Sequence, residues 1–314
     1  RLRSRWLGGH GRVQVPDFSA LAPERRGEAG RAFNAAKRAV QEALEARAAE
    51  LSRGRAAGLA EAEAIDVTLP GTPPATGHLH VLTLVRREVE TVMERMGYTV
   101  EVGPEVETDW YNFEALNLAR GHASRDMQET LFLNSEEDLV LRTHTSPMQI
   151  RAMERHPVPP IYVAAPGRTY RREAVDATHL AQFMQIEAIA VDEGITVGDL
   201  KGTVDMFARS IWGVERQVRF RPSFFPYTEP SFEFDISCAV CGGKGCRSCG
   251  GKGWLEEGGC GMVHPTVLRN GGIDPERYSG FAWGFGIERI AMQKYGVEDL
   301  RLFYDNDLRF LEQF

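Results

Sequence analysis

Residues 238–253 read CAVCGGKGCRSCGGKG, an eight-residue pattern written twice. Cys238, Cys241, Cys246 and Cys249 thereby fall into C-x2-C-x4-C-x2-C. Thiolates paired in this way aim at one point, and four of them satisfy tetrahedral Zn2+. In a cytosolic chain such pairs favour metal over disulfides. A four-sulfur site is closed to water, so a structural metal is expected rather than a catalytic one. The glycines after each pair permit positive-φ turns that face backbone amides toward sulfur. Cys260, the fifth cysteine, is left over and is expected as a small buried thiol.

A second set of residues sits on extended segments. In QFMQIEAIAV, strand alternation puts Phe183, Gln185, Glu187 and Ile189 on one face, with Met184, Ile186, Ala188 and Ala190 opposite. The second face is uniformly apolar. The first carries an amide and a carboxylate in mid-strand, groups costly to bury unless a ligand or partner satisfies them. The same alternation sets His144 beside Ser146 in RTHTSP, and Phe225, Tyr227 and Glu229 together in FFPYTEP. Any one of these alone reads more readily as an exposed strand face or a satisfied core group. Three on separate strands point to the mouth of a pocket with aromatic walls and a few polar anchors.

Two arginines could supply charge there. APGRTYRREAVDATHLAQF ends a strand on Arg171, Arg172 and Glu173, crosses a polar loop and opens the next strand at Phe183. The planar fork of a guanidinium suits phosphate and carboxylate. SGFAWGFGIERIAM runs a Gly-rich strand into a helix with Arg289 in its first turn, and helix N-termini favour anions. Gly280, Gly284 and Gly286 are expected to let a ligand approach the backbone.

Holding these residues requires an α+β domain. Short strands dominate past residue 140, with helices predicted at 146–155, 198–212 and 286–295 and an antiparallel sheet between them. Leu79, Leu82, Val85, Val89, Val92 and Met96 mark a helix ending at Gly97, followed by a strand broken at Pro104. Upstream, residues 23–64 are rich in Ala, Glu and Arg, with Phe33, Val40, Leu44 and Leu51 forming a narrow seam. That pattern predicts one or two long helices of an antiparallel coiled-coil arm, with a break at Gly54 or Gly58. DVTLPGTPPATG (66–77) reads as a linker. The predicted organisation is a helical arm over 1–65 and an α+β domain over 66–314, with a Cys-rich insertion at 236–254.

Charge divides along the same boundary. Residues 1–55 carry twelve Arg and Lys against six Asp and Glu, whereas 56–314 carry twenty-five against thirty-eight. A basic arm on an acidic body is a footprint for nucleic acid, or else a solvated Arg-rich helix. No apolar run approaches the ~18 residues of a membrane span. No apolar segment follows the basic start, so no signal peptide is read and a cytoplasmic location is expected. The opening Arg1 in place of Met suggests a truncated arm.

Three of these stretches, in this order, resemble the motifs of class II aminoacyl-tRNA synthetases. The helix up to Gly97 with Pro104 is similar to motif 1, Arg171-Arg172-Glu173 with its loop and Phe183 to motif 2, and GFGIER (284–289) to motif 3. THTSPMQ, VDATH, FFPYTEPS, GCGMVHP, GFAWGFGIER and DNDLRFLEQF resemble the α chains of bacterial phenylalanyl-tRNA synthetases, over essentially the whole chain. The double CxxC also resembles the zinc repeats of J-domain chaperones, but no His-Pro-Asp signature accompanies it.

The synthetase resemblance implies an antiparallel catalytic sheet, ATP and Mg2+ as co-substrate and cofactor, and a β subunit in an (αβ)2 heterotetramer. It implies phenylalanine activation and transfer to tRNA(Phe). Arg171 would bridge the carboxylate and α-phosphate, and Arg289 would hold the γ-phosphate and cover the adenine. Phe183 would stack on the base, Glu173 would accept from its amino group, and His179 would reach the terminal phosphates. Glu229 would bind Mg2+. Gln185 and Glu187 would receive the amino acid's ammonium, with His144, Ser146 and Gln149 nearby. Phe225 and Tyr227 would flank its ring, and Ala282 would set the depth at the para position. Two departures stand out: the Cys-rich segment replaces a short hairpin of many members, and Gln128 replaces an aromatic of some. Two rival readings keep other functions open: a synthetase-like ligase with a non-tRNA acceptor, and a zinc-dependent binding module.

Overall fold

Val81, Leu82, Val85, Val89, Val92 and Met93 recur at helical spacing, and in a computed structural model of the chain all six are buried on one helix, α2 (Val81–Arg95). The structure describes residues 16–62, 66, 68, 70–71, 77–126, 129–134, 138–177, 179–238 and 241–314. Gln128, the first fifteen residues of the basic arm and most of the Pro/Gly-rich linker lie outside these. The chain forms two compact units, 1–75 and 76–314.

The first unit is dominated by one helix, α1 (Pro23–Ala62), which runs through Gly54 and Gly58 without the expected break. Among the described residues it has no second long helix to complete a coiled coil, and its seam is half-buried at Phe33, Val40 and Leu44 and exposed at Leu51. Phe18 packs edge-on against Phe33.

In the second unit, seven strands form one sheet: β1 (Thr99–Val100), β5 (Ile161–Tyr170), β6 (Gln182–Asp192), β7 (Val218–Phe225), β8 (Thr228–Ser237), β9 (Trp254–Val263) and β10 (Ser279–Gly286). Their order is β1-β5-β6-β10-β9-β8-β7. Only β1 runs parallel to its neighbour. A small second sheet joins β2 (Val106–Thr108), β3 (Leu131–Asn134) and β4 (Leu139–Leu141). One sheet face is covered by α2, α4 (Val197–Trp212) and α6 (Ile287–Tyr295), meeting Ile186, Ala188 and Ala190 of β6 and Trp283 and Phe285 of β10. The other packs Ile189, Val191 and Ala282 against α3 (Pro147–Arg155) and α5 (Pro265–Asn270). The alternation expected for β6 is therefore observed. On the second face, Glu187, Gln185 and Phe183 follow Ile189 toward the strand's start, so an apolar core passes into a polar cavity along one row of side chains. Among the described residues, no helix is long and apolar enough to cross a membrane.

Two extended segments differ from expectation. RTHTSP is no strand: β4 stops at Leu141, and residues 143–146 bend into α3, whose first residue is Pro147. Proline at the first helical position needs no amide partner, and that wins over the β-preference of the two threonines. VRFRPSFFPYTEP is not one strand but a hairpin, turning at Pro226 and Tyr227 between β7 and β8.

Candidate active site

A cleft of about 370 Å³ opens on the second sheet face. At its closed end, the Glu187 carboxylate is buried and held by three donors. Ser146 Oγ (2.5 Å) and Gln149 Nε2 (3.1 Å) donate to Oε2, and Gln185 Nε2 (2.8 Å) donates to Oε1. Ser146 stands at the start of α3, where serine ordinarily caps the helix, but its hydroxyl makes no cap bond. Burial raises the Glu187 pKa; hydrogen bonds from Ser146 and Gln149, then the charges of Arg171 and Arg142, pull the other way. Gln185 Oε1 is buried with no hydrogen-bond partner among the described residues. A cationic donor entering here would find two acceptors, one of them unsatisfied.

His144 is buried behind this cage rather than on the cleft lining, its ring centroid 6.1 Å from that of Tyr227. Burial, with Arg171 and Arg142 adding to it, pushes the imidazole down to about 3, so it is neutral. Arg142 is itself buried, donating to the carbonyls of Arg168 (2.8 Å), Pro104 (3.2 Å) and Gly103 (3.4 Å). Phe225 ends β7 and Tyr227 sits in the hairpin turn, yet they share one wall, stacked at 5.8 Å with 10° between planes. Buried Ala282, paired with Ile189 and Gly261, contributes to the lining.

Arg171 and Arg289 line this same cleft, together with Glu173, His179 and Phe183. Arg171 follows directly on β5, donates Nε to the Thr143 carbonyl at 3.1 Å, and lies 5.0 Å over the Phe183 ring. One face of Phe183 is thus already covered. His179 approaches Asp176 at 3.1 Å. Arg289 is in the first turn of α6 and exposed, with Nη1 donating to the Glu256 carbonyl at 2.6 Å. Next to it, Glu288 is buried, accepting from the Met184 amide at 2.6 Å and from Tyr304, which ties α6 to β6. Burial lifts its carboxyl to about 7 against those bonds.

Two expected features are corrected. Glu229 does not share the wall of Phe225 and Tyr227: the hairpin turn shifts the alternation, Thr228 is buried on the cleft, and Glu229 is exposed outside it. Nor do the glycines of β10 all clear space for a ligand. A Cβ at Gly284 would stand 2.5 Å from Glu187 Cγ, and one at Gly280 would stand 2.6 Å from the Ala190 carbonyl; at Gly286 it would make only an ordinary contact, 3.9 Å from the Met184 carbonyl. Finally, the cleft includes Glu256 and Glu257, which strand alternation would place on opposite faces. The signal for both was a slip in register after Phe234, which no spacing in the sequence marks.

The four paired cysteines are separate from the cleft lining, in the connection between β8 and β9, whereas Cys260 lines the cleft. Cys238, Cys241, Cys246 and Cys249 bring their sulfurs within 4.8 Å of one another, with spacings of 3.8 Å (238 to 246), 3.9 Å (241 to 249) and 3.7 Å (246 to 249). Sulfurs at ~2.3 Å from a tetrahedral Zn2+ stand ~3.8 Å apart, so the set fits. Gly245 and Gly253, both at positive φ, point amides at Cys241 and Cys249 at 3.1 Å, as the spacing predicted. Burial opposes ionisation of Cys249, but amides of Cys246 and Gly253 outweigh it and bring the thiol down to about 6. Cys260 is a buried thiol on β9, pushed up to about 12 by burial.

Residues 64–314 match the family model for the tRNA synthetases class II core domain (F), and residues 1–57 match the aminoacyl tRNA synthetase class II N-terminal domain. Proteins named phenylalanine–tRNA ligase alpha subunit are similar over all of the chain. Those of Anoxybacillus flavithermus and Geobacillus kaustophilus are 52% identical, with 91% of each relative covered. That of Azotobacter vinelandii is 51% identical, with 92% covered. A solved pyrrolysyl-tRNA synthetase of Desulfitobacterium hafniense shares the fold at TM-score 0.56 and 16% identity, covering 95% of this chain and 89% of the other.

Proposed function

Because the chain belongs to the phenylalanine–tRNA ligase alpha-subunit family of class II synthetases, we propose that its cleft holds phenylalanine and ATP with the residue roles that follow. The reaction is ATP-dependent activation of phenylalanine and its transfer to tRNA(Phe). The amino acid's carboxylate attacks the α-phosphorus, pyrophosphate leaves, and the tRNA 3′ end then takes the acyl group from the adenylate. The attacking group is already an anion, so no general base is needed. Catalysis reduces to positioning and charge stabilisation.

Glu187 and the free Gln185 oxygen take the ammonium, and Ser146 and Gln149 act by holding Glu187. Neutral His144 backs Tyr227, and the substrate ring lies against Phe225 and Tyr227 in edge-to-face contact over Ala282. Arg171 bridges the carboxylate and α-phosphate, where negative charge accumulates. Arg289 holds the γ-phosphate, His179 reaches the terminal phosphates, and Glu173 accepts from the adenine. With Arg171 over one face of Phe183, the base stacks on the other. Class II synthetases use Mg2+; with Glu229 outside the cleft, no step here runs through it. The four cysteines would hold Zn2+, which supplies a cross-link and no chemistry. The alpha-subunit name of the relatives implies a β partner, read here as an (αβ)2 heterotetramer. The basic arm is read as a tRNA contact.

The observation that carries this reading is that Arg171 and Arg289 share one cleft with the Phe225–Tyr227 wall and the Glu187 cage. Pyrophosphate exchange with each of the twenty amino acids, on this chain alone and with β, tests it. Phenylalanine is expected to support exchange and tRNA(Phe) to be charged. Exchange without charging would favour the non-tRNA acceptor instead.

A further inference from the structure

Glu257 is the residue squeezed out where β8 and β9 slip register: Phe234 pairs with Gly258, but Asp235 pairs with Glu256. A bulge re-aims a side chain out of strand alternation, and Glu257 turns inward onto α6, 4% exposed. Its Oε1 accepts from Nε2 of Gln293. Its Oε2 is buried and has no hydrogen-bond partner among the described residues. Gln293 stands four residues after Arg289 on α6, so the two share a helix face. Arg289 in turn donates to the carbonyl of Glu256, the residue before Glu257. Glu257 and Arg289 both line the cleft.

We propose that Glu257 and Gln293 are a positioning pair for Arg289, and that the protonation of the Glu257 carboxyl sets how much of the arginine's charge is offered to the terminal phosphates of ATP. This rests on the reading of Arg289 as the γ-phosphate holder. A neutral Glu257 leaves the guanidinium's charge for the nucleotide; an ionised one offsets part of it across the cleft lining they share. Burial pushes the Glu257 carboxyl up to about 8, against the Gln293 hydrogen bond and the charge of Arg289. The other charges acting on it are Asp235 on β8 and Glu256 on β9. Asp235 is neutralised by Arg219 and Arg221, which hold it below the ordinary carboxylate range despite its burial. Glu256 is ion-paired with Arg221. Of these, Glu257 carries the raised carboxyl; Glu288, beside Arg289 on α6 and lifted to about 7 by burial, is the same in wild type and in both variants below.

The test is the KM for ATP in pyrophosphate exchange, with β present and phenylalanine saturating, from pH 6.5 to 9.5. Wild type is compared with Glu257→Gln and with the apolar double variant Glu257→Leu/Gln293→Leu. The wild-type KM for ATP is expected to rise about fivefold through pH 8, and both variants are expected to lose that rise. The KM for phenylalanine should follow one profile in all three. Parallel ATP profiles in wild type and Glu257→Gln would overturn the proposal. Absence of exchange in the wild type would overturn the reading of the cleft, and the proposal with it.

Discussion

Single atoms decide what the closed end of the cleft accepts. Ala282→Gly removes the methyl group from the lining and is expected to admit para-substituted phenylalanines; unchanged selectivity in pyrophosphate exchange would remove Ala282 from that role. A snug apolar floor rejects tyrosine only on the order of a hundredfold. Gly284→Ala works in the opposite sense. Its Cβ would fall 2.5 Å from Glu187 Cγ, so the carboxylate must leave its three donors. The KM for phenylalanine should rise at least tenfold with the KM for ATP nearly constant, an outcome separable by varying each substrate in turn. Glu257 also has a signature in stability. Its folded pKa, about 8, is above the usual 4.5, so the folded state keeps a proton that the unfolded state releases. Its stabilising contribution is present below pH 4.5 and is lost as pH rises through 8. Glu257→Gln should gain on wild type in urea melts as pH goes from 5 to 9, by about 4 kcal/mol at the top; a constant gap would show that Glu257 ionises without cost. Phe183, Gln185 and Glu187 were legible in the sequence because alternation needs no tertiary knowledge. Glu257 was not, because its orientation depends on a register slip set by the partner strand.

Among the elements, those with their own start and stop signals were read closely. Pro147 opens α3, and α4 and α6 begin within a residue of the predicted positions. The reading failed where two neighbouring signals competed. Thr143 and Thr145 look like strand residues, yet the chain there is already bending toward Pro147. In FFPYTEP, the proline marked a turn, and continuing the strand through it misplaced Glu229. The β8–β9 connection carries the clearest test at this scale. Cys238 accepts the Gly242 amide and donates its own amide to the Gly253 carbonyl at 2.8 Å, so the cysteine loop closes directly on the ends of the two strands. Chelation is expected to lower the melting temperature by several degrees while pyrophosphate exchange well below that temperature keeps most of its rate. An intact circular-dichroism spectrum with abolished exchange would contradict a purely structural metal.

At the scale of the molecule, the two units divide the labour. Every residue lining the cleft falls within 76–314, whereas the excess of Arg and Lys lies in 1–55. A chain beginning at Thr76, combined with β, should retain pyrophosphate exchange and lose most tRNA(Phe) charging, the more so as salt rises in the intact enzyme; equal loss of both activities would deny the arm its separate role. The domain texture was legible because composition changes sharply at the linker. The packing of β8, β9 and β10 was not, since nothing in a run of glycines says what occupies the room they leave. A Cβ at Gly258, Gly259 or Gly261 would come within 3 Å of the Gly284 carbonyl, the Phe225 ring or Thr228, respectively. The chamber can therefore be shaved but not upholstered at these three positions. There the cavity takes no added side-chain atom unless a neighbour moves, whereas trimming Ala282 enlarges it.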